Sequence, residues 1–148
     1  MPKIISVTVT KDRLSELKKV IDSLRHSGRR PDEMIVVNND SRDGTLEWLA
    51  EQTDIVVINQ GNTGSSGGEY SGMKLAMERG ADFVWLVEDD IIPRPDCLQK
   101  LLAEADENTV AMPLLYHPDG REYFHTAISY NLSNPFRSFW REMIGREH

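Results

Sequence analysis

The chain has 148 residues, 39% hydrophobic and 28% charged, with a formal net charge of −7. That balance fits one globular domain with a proper core, residues 1–148, and excludes a disordered chain. The acidic excess argues against nucleic acid as a partner, and the single Cys97 excludes an intramolecular disulfide or a Cys-rich zinc site.

Met1-Pro2-Lys3-Ile4-Ile5-Ser6 reads as the start of a strand, not as a signal peptide, and no apolar run is long enough for a membrane span. The expected location is the cytoplasm, with the inner membrane surface as an option. Ile4 to Val9 forms the first apolar strand. Asp12 is placed to cap a helix with Leu14, Leu17, Val20, Ile21 and Leu24 on one face, closed by Gly28. Met34 to Val37 is a second buried strand. Asn38 to Thr45 follows it, rich in turn and cap formers, and Asp43 can cap a helix holding Leu46, Trp48 and Leu49. Ile55 to Ile58 is the third strand. The order βαβαβ predicts parallel strands joined by right-handed crossovers.

Asn59 to Gly68 reads as a loop whose glycines need positive φ or a close approach. It lacks the Gly-Lys-Ser/Thr ending of a phosphate-binding loop, and it follows a third strand where a dinucleotide fingerprint follows the first. Sheet packing explains the glycines as readily as an anion or a sugar facing the backbone N–H groups. Glu69, read as part of the first helical turn, would repel a phosphate there. Met73, Leu75, Ala76 and Met77 then form a helix ended by Gly80. Phe83 to Val87 is an apolar strand that runs into Glu88, Asp89 and Asp90 before Pro93 stops it. Pro95-Asp96 opens a helix with Leu98, Leu101 and Leu102 inward. Val110 to Leu115 is expected as a further strand, and His117-Pro118-Asp119-Gly120 as a hairpin turn. The core is thus expected over 1–115, with a hairpin and C-terminal segment over 116–148. Phe136, Phe139, Trp140, Met143 and Ile144 suggest an amphipathic helix over 134–148 and a homo-oligomer contact there.

Ligands of open α/β sheets bind beyond the carboxyl ends of the strands. Thr10 to Arg13, Asn38 to Thr45, Glu88 to Asp90 and the glycine loop all fall at such ends. Three adjacent acids repel one another, and a divalent cation with hard oxygen ligands compensates. A solvated acidic loop is the plainer reading of the triplet alone; the convergence of the other clusters favours the metal. Arg13, on a first helical turn that disfavours a cation, suits a phosphate. Asn38 and Asn39 are turn formers by default, or readers of a base edge. His117 and His125 lie in no metal-binding spacing.

Val9-Thr10-Lys11-Asp12-Arg13, Val36 to Thr45, Asn62-Thr63-Gly64-Ser65-Ser66-Gly67-Gly68 with Gly72-Met73, and Trp85 to Asp90 with Pro93 occur in that order. Together, over roughly residues 4–105, they resemble family 2 glycosyltransferases of the GT-A fold, in the branch with rhamnosyl- and galactofuranosyltransferases. The resemblance implies an α/β, GT-A-like open and mostly parallel sheet with helices on both faces. It also implies inverting transfer from a nucleotide-diphosphate sugar, a UDP- or dTDP-sugar, to a glycan or lipid-linked acceptor hydroxyl. Thr10 and Arg13 would line the nucleotide pocket, Asn39 would meet the base, and Asn62 the nucleoside or sugar. Glu88 and Asp90 match the outer positions of the family's Asp-X-Asp motif, which holds Mg²⁺ or Mn²⁺; the first position is Glu here where the family usually has Asp. The candidate nucleotide-sugar-binding set is Thr10, Arg13, Asn38, Asn39, Asn62, Gly64, Gly67, Gly68 and Asp89, with Glu88 and Asp90 as metal ligands. The family's general base lies in a later segment that nothing in 106–148 matches, so the expectation is a chain without that C-terminal part and with no assignable base. The alternatives are a non-catalytic nucleotide-sugar-binding or regulatory module, and a nucleotidyltransferase, which would want glycines after the first strand.

Overall fold

In a computed structural model of the protein, residues 1–106, 109–117 and 119–121 are described. The chain divides into two compact units, Met1–Ala111 and Met112–His148.

The first unit is built on four parallel strands: β1 (Ile4–Thr10), β2 (Glu33–Asn39), β3 (Ile55–Gln60) and β4 (Phe83–Leu86). They lie in the order β3-β2-β1-β4. Helix α1 (Leu14–Arg25) joins β1 to β2, α2 (Thr45–Ala50) joins β2 to β3, α3 (Gly64–Glu78) joins β3 to β4, and α4 (Cys97–Glu104) follows β4. From β1 to β3 the chain steps one way across the sheet; it then jumps back over β1 to place β4. Right-handed crossovers require the helices of opposite steps to lie on opposite faces. Two separate apolar clusters agree. Leu17, Val20, Ile21 and Leu24 of α1, Leu49 of α2 and Leu98 of α4 pack with Ile4, Met34, Val36, Ile55 and Trp85. Ala76 of α3 packs on the other side with Ile5, Val7, Ile35 and Val37. Each inner strand therefore feeds alternate side chains to alternate faces, and being covered on both, it reads as a continuous apolar run.

Three local expectations change. Asn59 to Gly68 is not all loop: α3 begins at Gly64, and Gly67, Gly68 and Gly72 lie inside it. A Cβ on Gly72 would stand 2.3 Å from Val7 Cγ1, and one on Gly68 2.5 Å from Val9 Cγ1. These glycines let α3 lie directly on β1, so close approach explains them; only Gly64, at φ +75°, needs the left-handed region. Glu69 consequently sits beyond the first turn. Asp12 does not cap α1: it adopts φ +53°, Arg13 is the N-cap residue, and Asp43 Oδ2 accepts the Leu14 N–H at 2.8 Å. Asp43 is not the N-cap of α2 either, since Gly44 holds that position, but its Oδ1 accepts from the Thr45 N–H and hydroxyl two residues on. Finally, 110–115 forms no strand. Val110, Met112 and Leu114 are exposed, so the apolar alternation there has no described neighbour to pair with.

In the second unit Tyr116 is a single bridge residue, and the expected turn is present. The Gly120 N–H donates to the His117 carbonyl at 2.9 Å, the His117 N–H to the Arg121 carbonyl at 2.8 Å, and Gly120 takes φ +85°. His125 and the 134–148 segment lie outside the described residues. No helix among the described residues is long and apolar enough to cross a membrane.

Candidate functional site

Because β1 and β4 are neighbours, the turn after the first strand meets the turn after the last. The carboxyl ends of β1, β2 and β4, with the start of α3, enclose an open cleft of about 390 Å³. Val9, Thr10, Lys11, Arg13, Asn39, Asn62, Gly64, Ser65, Glu88, Asp89 and Asp90 line it. Eight of the eleven sequence-derived candidates are thus brought together.

The acid triplet is not uniform. The middle carboxylate, Asp89, is buried, and its Oδ2 accepts the Thr10 hydroxyl at 2.8 Å. Glu88 and Asp90, one residue to either side, are exposed. Arg13 Nη1 donates to Asp90 Oδ2 and lies 3.5 Å from Asp89 Oδ1. This explains a cation at the positive end of α1: what the helix dipole disfavours, two carboxylates offset. The Arg13 and Asp90 side chains are each about half exposed, so the pair is worth at most about 1 kcal/mol. Burial pushes the Asp89 carboxyl above its ordinary range, outweighing the Thr10 hydrogen bond and the Arg13 charge. Glu88, though exposed, is raised as well, first by partial desolvation against the strand end and then by the charges of Glu69, Asp89 and Asp90. The turn therefore holds more negative charge than its surroundings neutralise.

A second feature is the clasp between the β1 and β2 turns. Asp12 and Asp40 both take left-handed backbone, at φ +53° and +61°. The Asp12 N–H donates to Ser41 Oγ at 3.0 Å, the Arg42 N–H to Asp12 Oδ1 at 2.7 Å, and Lys11 Nζ to the Asp40 carbonyl at 3.1 Å. Such strained residues persist where surrounding bonds fix them, and they concentrate at functional sites.

The amide candidates separate. Asn38 is buried away from the cleft lining; its Nδ2 donates to Asn59 Oδ1 at 2.9 Å, and its Oδ1 accepts the Ser41 N–H. It braces the turn and stands off the cleft lining. Asn39 does line the cleft, though its Nδ2 donates to the Gly64 carbonyl and its Oδ1 accepts from Gln60 Nε2, both at 2.9 Å. Asn62 Oδ1 accepts the Gly64 N–H at 3.0 Å, shaping the entry to α3. Gly67 and Gly68 are off the lining: a Cβ on either would strike Thr63, or Val9 and Asn39. The sequence reading missed Val9, Lys11 and Ser65 as lining residues. Each stands inside a motif already singled out, so adjacency was the available signal.

Among the described residues, no three carboxylate, imidazole or thiol groups meet as a ready-made metal cage. Glu88 and Asp90 do present hard oxygen donors at one cleft. This donor set fits Mg²⁺ or Mn²⁺, which commonly take one or two carboxylates and complete the shell with phosphate and water.

The sequence profile of glycosyl transferase family 2 matches residues 6–146. The chain belongs to that family. The match runs past the 4–105 stretch that carries the motifs. Among curated proteins, this family 2 chain is 40% identical over 91 residues to the galactofuranosyltransferase GlfT1 of Mycobacterium tuberculosis, an alignment covering 59% of the chain and 30% of GlfT1. It thus spans less than a third of that relative. Among solved structures it resembles the mannosyltransferase PcManGT from Pyrobaculum calidifontis in complex with GDP-Man and Mn²⁺ (TM-score 0.58, 20% identity, 80% of this chain and 36% of that one). It also resembles S. aureus TarS in complex with UDP (TM-score 0.59, 21% identity, 68% and 31%). At these identities the likeness concerns the fold: an α/β, open parallel sheet with helices on both faces, shared with glycosyltransferases.

Proposed function

We propose that the cleft binds a nucleotide-diphosphate sugar, and that this chain is the donor-binding part of a glycosyltransferase that passes the sugar, with inversion, to a hydroxyl of a glycan or lipid-linked acceptor. One observation carries the reading. Thr10 holds Asp89 in the interior, so the flanking Glu88 and Asp90 stand at a cleft whose other walls are Arg13, Asn39, Asn62 and Gly64. The nucleotide-bearing complexes of PcManGT and TarS support a nucleotide ligand, and the Mn²⁺ with PcManGT supports a divalent ion.

In this reading each group has a task. Thr10 and Asp89 fix the turn that presents Glu88 and Asp90. Arg13, and Lys11 from the same turn, supply positive charge for the diphosphate. Asn39, Asn62 and Gly64 shape the wall that receives the nucleoside and the sugar. Mg²⁺ or Mn²⁺ held by Glu88 and Asp90 would act as a Lewis acid for the leaving diphosphate. In transfer, the acceptor oxygen bonds to the anomeric carbon as the bond to the diphosphate breaks, and a general base takes the hydroxyl proton. None of the cleft residues is assigned that proton.

Calorimetric titration with UDP and dTDP, with and without Mn²⁺, tests the reading. The chain should bind in the presence of Mn²⁺, and Asp90→Ala should abolish that binding while the chain stays folded. Unchanged affinity in the variant would remove the metal role. Binding of a UDP-sugar with neither transfer nor hydrolysis would favour a non-catalytic module.

A further inference from the structure

The acid turn already has a cation. Among the described residues, both ion pairs made by Glu88, Asp89 and Asp90 run to Arg13. The guanidinium donates to Asp90 Oδ2, an oxygen a divalent ion would use. A divalent ion held by the same carboxylate would stand close to the guanidinium and repel it. We infer that Arg13 is the resident counter-ion of the metal site, displaced from Asp90 when a divalent cation enters and released toward the anionic ligand that the cation brings. The inference rests on the reading that Glu88 and Asp90 hold the ion.

Arg13 suits this exchange. It stands at the start of α1, and both its side chain and that of Asp90 are about half exposed, so solvent screens the pair and leaving Asp90 costs little. The planar fork of a guanidinium can take a phosphate in place of a carboxylate. Lys11 does not suit it: its Nζ is tied to the Asp40 carbonyl at 3.1 Å and to Asp12 at 3.5 Å. The consequence is a linkage. A cation entering alone must break the pair and strand the guanidinium beside it. A cation entering with a diphosphate gives Arg13 a new partner. Each ligand then raises affinity for the other, by the same factor in both directions.

The test uses Mn²⁺ alone, UDP alone and both together, followed by calorimetry and by the electron paramagnetic resonance of free Mn²⁺. Arg13→Met keeps most of the stem and removes the charge. It should bind Mn²⁺ alone about fivefold more tightly than the unaltered chain, and the mutual enhancement between Mn²⁺ and UDP should shrink by a similar factor. Arg13→Lys should restore the competition for Mn²⁺. Arg13→Gln gives the same comparison should the Met variant melt early. Unchanged or weaker Mn²⁺ binding in a folded neutral variant overturns the inference, while UDP binding by the unaltered chain with Mn²⁺ would leave the proposed function standing. No Mn²⁺ binding to the unaltered chain, with or without UDP, sinks both.

Discussion

At the amino end of the sheet, Glu33 lies between Lys3 at 2.7 Å and Arg79 at 2.5 Å, and Asp32 accepts both the Ile4 N–H and the Arg29 guanidinium. At the carboxyl end, three acids crowd one turn, and Arg13 pairs with two of them, Asp89 and Asp90. The carboxyls respond in opposite directions. Lys3 first, then Arg79, holds Glu33 below its ordinary range, and Arg29 does the same for Asp32. Glu88 and Asp89 are pushed above theirs, by desolvation first. Both ends are crowded with charge, but only one is balanced. The amino end spends its charges on joining β1, β2 and α3, while the carboxyl end keeps an excess that only a further positive group would satisfy.

Substitutions can sharpen this contrast. The largest stability effect is expected from Thr10→Val, which removes the hydroxyl donated to Asp89 and leaves a buried carboxylate oxygen short of a partner. A loss of about 1–3 kcal/mol in urea denaturation is expected; an unaltered midpoint would mean the bond is idle. Glu33→Gln should cost up to about 1 kcal/mol at pH 7. Glu33 contributes stability above its unfolded-state value, and that contribution is lost as pH falls through its depressed folded value, so the variant and the unaltered chain should converge in acid. Glu88→Gln should do the reverse and gain a few tenths of a kcal/mol at pH 7. Its raised carboxyl costs stability at neutral pH, and the cost fades as pH falls from the folded value to the unfolded one. Were both Gln variants to shift stability in the same direction at pH 7, the two ends would not differ as described.

Much of this was legible in the chain. The alternation of β-branched runs with amphipathic stretches gave β1 through β4, and the strand-end rule placed the Thr10, Asn39 and Glu88 motifs at one cleft. What could not be read depends on distance in sequence. Arg13 and Asp90 are joined only because β4 is inserted beside β1, and the Thr10 hydroxyl is committed to Asp89 for the same reason. Asn38 and Asn39 are adjacent and chemically identical, yet only one lines the cleft, because successive strand side chains point to opposite faces. Gly64 to Gly68 looked like a loop because glycine disfavours helices by up to about 1 kcal/mol per residue. Here the contact of α3 with Val9 at Gly68, and with Val7 at Gly72, leaves no room for anything larger. Val110 to Leu115 had strand composition but no described partner strand, and composition alone does not make a sheet.

The left-handed aspartates at 12 and 40 have a consequence that needs no ligand to observe. Only glycine and, less readily, asparagine share that backbone freedom. In a saturation library sorted purely for soluble expression, positions 12 and 40 should therefore admit glycine and asparagine and reject valine, isoleucine and threonine, so that steric tolerance alone marks the rim of the cleft.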